Sequence, residues 1–428
     1  MKNKILVRGP ALSSSGYGEQ TRFALRSLRQ YQSIFDIYLT NINWGKTGQI
    51  LEENEENSWI KGLLAKTQQY AAQSNNAPHF DMSLQVTIPN EFEKICPVNI
   101  GYTAGIETTK VAPQWLEKSN IMDRVIVIST HSKEIFEQTS YLAQNNQTQE
   151  QFQLKLNSPI DYCNYGVRKV EKKNIDIDFS TSFNFLSVAQ WGPRKNIEST
   201  IKNFIKEFYN DEDVGLVLKT NIAKNSLFDR ESTKLKIQSL IRETKLSLNK
   251  DVKCKIYLIH GSLNEGEMFS LYTHPKIKAL ITTSHGEGFG LPIFEAAYNG
   301  LPVISPNWSG QCDFLSAPKK DKETGLIKNK SHFAKILFDV KTVSQESVWE
   351  GVIQADSSWC YVKDYSVMST MRDVYKGYPG YYKQAQILKE HLEKEFEEKK
   401  QLERFVTCIL GEKKFQWYKK IMETQMYD

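Results

Sequence analysis

The stretch Ser284-His-Gly-Glu-Gly-Phe-Gly-Leu-Pro-Ile-Phe-Glu-Ala-Ala-Tyr-Asn-Gly-Leu-Pro-Val-Ile-Ser-Pro sets two carboxylates, Glu287 and Glu295, eight residues apart around a run of glycines. Its layout reads as strand, glycine loop, helix, strand. Gly286, Gly288 and Gly290 let the backbone approach a ligand without Cβ hindrance. The helix starting near Leu291 turns its free N–H groups and positive dipole end the same way. An anion suits that place. Pro292 in the first turn costs nothing, because an N–H there has no helical partner. Glu287 in the loop and Glu295 about one turn into the helix can reach the same cleft at the C-terminal end of the sheet, where open α/β folds bind ligands. Carboxylates are poor phosphate ligands and good hydroxyl acceptors. The pairing therefore predicts a sugar or ribose attached to phosphates.

The elements that must position this segment form a βα alternation. A strand at Lys4 to Arg8 leads through the small residues Gly9 to Gly18 into a helix from about Glu19 to Gln30. Strand-like runs follow at Phe35 to Leu39, Met82 to Val86, Val98 to Tyr102 and Val125 to Ser129. The alternation restarts at Phe183 to Ala189 and continues through strands at Gly215 to Lys219, Lys255 to His260, Ala279 to Thr283 and Leu301 to Ser305, with helices between them. Such alternation predicts parallel sheets covered on both faces. The expected fold class is therefore α/β, with two doubly wound Rossmann-like domains over residues 1–172 and 173–382. Residues 137–157, rich in Gln, Asn and Thr, read as an insertion or long surface loop. Residues 383–404 are densely charged and read as a solvated helix. The aromatic-rich tail Phe405 to Tyr427 completes a helical segment, 383–428, for which packing back on the first domain is the other reading.

The totals agree with this outline. A chain of 428 residues exceeds what one hydrophobic core usually holds. Hydrophobic residues at 40% and charged residues at 25% fit a globular protein rather than a disordered or fibrous one. Only three aliphatic residues, Ile5 to Val7, follow the opening Met-Lys-Asn-Lys, short of the apolar run of a secretory signal. No stretch has the roughly 18 apolar residues of a membrane span, so membrane contact is expected to be peripheral at most. The six cysteines, at 96, 163, 254, 312, 360 and 408, stand singly, with neither zinc-site nor disulfide spacing. A reducing cytoplasm is the expected compartment. The formal net charge of +5 suits an anionic substrate but lacks the concentrated basic stripe of a nucleic-acid module.

The string from Ser284 to Pro306 resembles the Glu-x7-Glu segment of the group 1, or family 4, retaining glycosyltransferases, in which an EGFGLP loop, an EA pair and a G-x-P-V strand follow in this order. The resemblance is strongest over residues 183–315. It implies the GT-B architecture, two Rossmann-like domains facing across a cleft, with the acceptor on the first and the nucleotide sugar on the second. It further implies that Arg194 and Lys195, in Trp191-Gly-Pro-Arg-Lys-Asn196, hold the donor's diphosphate and stabilise it as it leaves. Glu287 would orient the hydroxyls of the transferred sugar, and Glu295 would hold the ribose. Backbone groups from Gly288 through Phe289 and Gly290 to Leu291 would assist. Lys219, ending the strand GLVLK, is a further candidate for the diphosphate. Gly16, in Ser14-Ser-Gly-Tyr-Gly18, resembles the family's glycine loop against the donor or acceptor. The run Ile259-His-Gly-Ser-Leu263 falls where the nucleobase sits.

The first domain departs from the family pattern. Many members carry a histidine after the strand corresponding to Val98 to Tyr102, where this chain reads Tyr102-Thr-Ala-Gly-Ile-Glu107. Tyr17, Glu107 and His131 are the acceptor-side candidates; Glu107 either takes that role or caps the segment leading to Pro113. Asp211-Glu-Asp213 has the form of a D-x-D metal motif, but it lies in a turn before a strand, the wrong end for a ligand. No metal site and no cofactor are expected, Arg194 and Lys195 supplying the charge instead. The resemblance implies front-face transfer with retention, in which the departing phosphate takes the proton of the incoming hydroxyl and no side chain is glycosylated. The partners are a nucleotide-diphosphate-sugar donor and a hydroxyl-bearing acceptor: a saccharide, a lipid-linked saccharide or a modified nucleic acid. The alternatives are transfer to a modified DNA base, which needs a base-flipping pocket, and a non-catalytic nucleotide-sugar-binding protein of the same fold. A dinucleotide-dependent oxidoreductase is set aside, since Gly16-Tyr-Gly18 lacks the third glycine of that fingerprint. Base, sugar, acceptor identity and oligomeric state are not written in the sequence.

Overall fold

A computed structural model describes residues 2–45, 47–50, 52–74, 78–145, 147–320 and 325–425. Tyr427, named above as the end of the aromatic tail, lies outside them. The chain forms two compact units, the first from residues 1–166, 348–357 and 398–428, the second from 167–347 and 358–397.

The first unit opens with β1 (Asn3–Gly9), α1 (Gly16–Gln30), β2 (Phe35–Asn41), α2 (Glu55–Gln73), β3 (Met82–Val86), β4 (Val98–Thr103), α3 (Pro113–Asn120), β5 (Arg124–Val127) and α4 (Thr130–Gln138). It continues through the hairpin β6 (Ser140–Gln144) and β7 (Gln151–Lys155) to β8 (Ile160–Tyr162). Six strands form a parallel sheet in the order β2-β1-β3-β4-β5-β8. All of β3 is buried, as expected of a strand covered on both faces. A core around Trp115, Phe136, Val125 and Val127 packs α3 and α4 onto the sheet.

The second unit repeats the plan with β9 (Phe183–Val188), α5 (Ile197–Phe208), β10 (Val214–Lys219), α6 (Leu227–Leu248), β11 (Lys255–Ile259), α7 (Glu265–Tyr272), β12 (Ile277–Ile281), α8 (Leu291–Tyr298) and β13 (Val303–Pro306). The hairpin β14 (Ser316–Lys320) and β15 (Ile327–Ser331), strand β16 (Ala334–Ile336), the hairpin β17 (Phe338–Thr342) and β18 (Ser358–Val362), and helices α9 (Asp364–Lys376) and α10 (Tyr378–Glu395) complete it. Its parallel sheet runs β11-β10-β9-β12-β13-β16. Phe185, Ile201, Phe204 and Phe208 are fully buried between β9 and α5, each worth roughly 2–3 kcal/mol of apolar burial. The chain then returns to the first unit as α11 (Glu398–Leu410) and α12 (Glu412–Gln425).

Two readings of local structure change. Ser140–Gln144 and Gln151–Lys155 pair as an antiparallel hairpin, because Tyr141 and Ala143 on one strand and Leu154 on the other pack toward the first unit's core. Polar Gln and Asn between them mask the alternation in the sequence. The charged stretch 383–404 is not one solvated helix either. It is split at Phe396 and Glu397 between α10 and α11, and both helices bury a stripe: Ala385, Leu388 and Leu392 on the first, Leu402, Phe405 and Val406 on the second. The Phe405 ring meets that of Phe23 on α1 edge-on, with centroids 5.5 Å apart.

Candidate active site

The site of the second unit follows from strand order. Strand β9 lies between β10 and β12, so the chain runs outward in one direction from β9 to β11 and in the other from β12 to β16. Loops leaving the C-terminal ends of β9 and β12 therefore emerge side by side, where α/β sheets bind ligands. The loop after β9 makes a single tight turn, Pro193–Lys195, closed by Asn196 in the left-handed region at φ 50°. The loop after β12 carries Glu287. The two are stitched together: Asn196 Nδ2 donates to the Thr283 carbonyl at 3.2 Å, Thr283 Oγ1 donates to the Asn196 carbonyl at 2.8 Å, and Ser284 Oγ donates to the Arg194 carbonyl at 3.2 Å.

This stitching brings Arg194, Lys195 and Glu287 into one cluster. Lys195 Nζ lies 2.6 Å from each Glu287 carboxylate oxygen. Arg194 Nη1 donates to Glu287 Oε2 at 3.2 Å and to the Gly286 carbonyl at 2.7 Å. Glu287 is 7% exposed. Burial alone would raise its pKa; Lys195 first and then Arg194 outweigh that and hold it down at about 2. A loop glutamate among glycines is expected from sequence to have little packing role. The structure instead makes it the counter-ion of the basic pair, because two cations brought this close need a buried anion between them.

The Glu287 backbone is held as firmly as its side chain. Its N–H donates to Ser309 Oγ at 2.8 Å, and its carbonyl accepts from the Gly310 N–H at 2.9 Å. Ser309 adopts φ 64°. A Cβ on Gly310 would lie 2.0 Å from the Gly288 carbonyl oxygen, so only glycine fits there. Sequence reasoning missed Ser309 and Gly310; the Ser-Gly pair after Trp308 was the available signal, unremarkable until the chain brings it back over the loop. Gly290, at φ 95°, caps the start of α8. Phe289 is 2% exposed and packs against Phe294 and Phe314, so any contact it offers a ligand comes from its backbone.

The remaining candidates of the second unit lie further along the same loops and helices. Glu295, half-buried on α8, accepts a hydrogen bond at 2.8 Å from the Tyr272 hydroxyl of α7. Lys219 Nζ donates to the Gly261 carbonyl at 2.5 Å, and burial lowers its pKa. The next loop is also anchored by His260, whose Nε2 is 2.8 Å from Asp229 Oδ2. Asp211 pairs with Arg372, Glu212 with Lys253, and Asp213 with Ser182, so the D-x-D triplet is spent on surface contacts. Among the described residues, no group of three or more His, Cys, Asp or Glu side chains is gathered as a metal ion would require. No helix among them is long and apolar enough to cross a membrane.

In the first unit, Gly16 opens α1 behind the capping Ser15, and a Cβ there would meet nothing within 4 Å. Gly18 is the constrained one, since its Cβ would sit 2.0 Å from the Ser13 carbonyl oxygen. Buried Arg22 secures the same loop by donating to the Ala11 and Ser13 carbonyls at 2.9 and 3.0 Å. The Tyr17 hydroxyl is 2.9 Å from Thr103 Oγ1 and accepts from the Ala104 N–H at 3.2 Å. Burial, chiefly, pushes its pKa upward, and the Glu107 charge adds to the rise. His131, in the first turn of α4, is hydrogen-bonded to the Thr108 backbone, and burial lowers its pKa to about 4. Tyr17, Glu107 and His131 thus gather around the loop after β4. Gly105, at φ 72°, lets that loop approach α4 so closely that a Cβ would clash with Ser132.

Fold and motif together define a class. Residues 170–336 match the family model described as glycosyl transferases group 1. The fold matches sucrose-phosphate synthase from Thermosynechococcus elongatus, at TM-score 0.60 and 12% identity over 99% of this chain and 100% of that one. It also matches Anabaena HepE, solved in complex with UDP and glucose, at TM-score 0.56 and 12% identity over 95% and 99% of the two chains. A glycosyltransferase from Rickettsia africae matches at TM-score 0.55 and 12% identity, over 96% and 100%. No curated protein sequence matches the chain. The fold is GT-B, with two Rossmann-like domains, and a group 1 glycosyltransferase match is carried by residues 170–336.

Proposed function

We propose that this protein is a retaining glycosyltransferase that moves a sugar from a nucleotide-diphosphate sugar to a hydroxyl acceptor without a metal ion. The observation that carries the reading is the cluster of Arg194, Lys195 and Glu287 at the point where the second sheet's strand order reverses. Two cations against one ionised carboxylate leave a net positive charge beside a glycine loop and the N-terminus of α8. A diphosphate carries the opposite charge, and its negative charge grows as the sugar bond breaks. Arg194 and Lys195 stabilise that leaving group. Glu287 holds the pair in place and presents its remaining lone pairs to the sugar's hydroxyls, while Glu295 takes the ribose and the backbone of Gly288 to Leu291 assists. HepE was solved with UDP and glucose, which supports a nucleotide-sugar donor here.

The second unit takes the donor. The first takes the acceptor, around Tyr17, Glu107 and His131, with Gly16 at the mouth of its glycine loop. Six free cysteines fit a reducing cytoplasm. Since no side chain needs to become glycosylated, retention follows from front-face attack, with the departing phosphate taking the acceptor's proton. The test is donor hydrolysis and thermal shift across UDP-, GDP-, ADP- and TDP-sugars, with and without EDTA, followed by the anomeric configuration of the released or transferred sugar by NMR. One nucleotide family stabilising the protein and releasing its sugar with retention in EDTA is the expected result. Inversion, or dependence on a divalent ion, overturns the mechanism.

A further inference from the structure

His285 precedes the catalytic loop, and the family motif gives it no role. Its main-chain N–H donates to the Arg194 carbonyl at 2.8 Å, and its carbonyl accepts from the Cys360 N–H at 3.1 Å. Its Nδ1 lies 2.6 Å from the Cys360 carbonyl oxygen. A carbonyl can only accept, so Nδ1 carries the proton and Nε2 the lone pair. The ring is stacked on Trp359 at 4.8 Å between centroids and 13° between planes, and Tyr361 packs against it at 4.6 Å. Trp359 is 1% exposed, so this wall is itself fixed. Among the described residues, strand β18 pairs only with β17 in a two-stranded sheet. At Cys360, the backbone N–H and carbonyl are both spent on His285.

We propose that His285 is a positioning residue: as the Nδ1–H tautomer, clamped between β18 and the loop after β9, it fixes the backbone that carries Arg194, Gly286 and Glu287. The neighbouring bonds explain why this backbone needs a clamp. Arg194 donates to the Gly286 carbonyl and to Glu287, so a displacement of residue 285 moves the cation and the carboxylate together. Burial, first, and the Arg194 charge keep the imidazole neutral, while the bond to Cys360 acts the other way. The neutral form suits a group set beside two cations. Only one of the two ring nitrogens does the holding, and that makes the role separable from bulk.

The effect on turnover rests on the donor reading above, whereas the effect on the loop does not. Asparagine places its amide N–H near the position of Nδ1; glutamine places its own near Nε2. In His285→Asn, amide hydrogen exchange at residues 284–288 is expected to stay within about twofold of wild type, and kcat/KM for the donor within about threefold. In His285→Gln, exchange rises about tenfold or more and kcat/KM falls about thirtyfold or more, the scale expected for a misplaced catalytic group. Equal behaviour of the Asn and Gln variants, or unchanged exchange in both, overturns the proposal. Should His285→Gln fail to fold, Trp359→Phe, with its smaller stacking face, is expected to raise exchange at the same amides, and unchanged exchange there overturns it equally. A wild-type protein that turns over no donor sinks the donor reading, while the exchange experiment still decides the role of His285.

Discussion

Lys195 and Glu287, 92 positions apart in the chain, meet with Nζ 2.6 Å from both carboxylate oxygens. Their side chains are only 19% and 10% exposed. Neither group is a spectator of the other: the carboxylate makes it possible to hold Lys195 and Arg194 together, and the cations keep the carboxylate ionised.

Glu287→Gln removes the charge while keeping the shape. It is expected to lower transfer about a hundredfold and to destabilise the second unit by about 1–3 kcal/mol, less than the roughly 3–5 kcal/mol of a fully buried pair because Arg194 is partly solvated. Lys195→Met in the same chain should restore part of that stability. A double-mutant cycle in denaturant measures it, and strict additivity would show the pair to be uncoupled.

The pH dependence of this pair has a defined sign. Glu287 has its pKa depressed from 4.5 to about 2, so its stabilising contribution is complete above pH 4.5 and is lost as pH falls through 2. The difference in melting temperature between wild type and Glu287→Gln is therefore expected to be flat from pH 5 to 8 and to shrink only in stronger acid. A limb near neutrality would assign the titration to another group.

His131 works in the same direction, in a window nearer neutrality. Its pKa falls from 6.5 to about 4 on folding, so the unfolded chain takes up a proton that the folded one refuses, and stability declines as pH drops from 6.5 toward 4. Replacing it by Gln, which cannot be charged, should flatten the melting curve across that window. An unchanged slope would place the acid sensitivity elsewhere.

Three glycines separate packing from ligand contact. Gly18→Ala and Gly310→Ala drive a Cβ to 2.0 Å from a backbone oxygen and are each expected to cost about 2 kcal/mol or more. Gly310→Ala should also abolish donor binding by shifting the Glu287 loop. Gly16→Ala meets open space and should leave the melting temperature unchanged, so any loss of binding in that variant reports ligand contact alone. Calorimetric melts with nucleotide titration check all three.

Much of the architecture was legible because parallel α/β domains write themselves locally. Runs such as Val125 to Ile128 and Val214 to Leu218 are apolar without alternation, and glycine loops mark where strands turn into helices. The β6–β7 hairpin and the buried faces of α10 and α11 were not legible. Their apolar residues are too sparse among Gln, Glu and Lys to stand out until another surface packs on them.

For the site, the motif from Ser284 to Pro306 carried the group 1 resemblance by itself, since the order of glycine, carboxylate and helix start depends only on neighbouring residues. Which groups touch was decided by the tertiary structure. The pairing of Lys195 with Glu287, the grip of Ser309 and Gly310 on the loop, and the clamp of Trp359 and Cys360 on His285 join residues 22 to 92 positions apart. Such contacts arise from strand order, because β9 and β12 become neighbours only when the sheet reverses direction between them, and no local pattern of residue types records that choice.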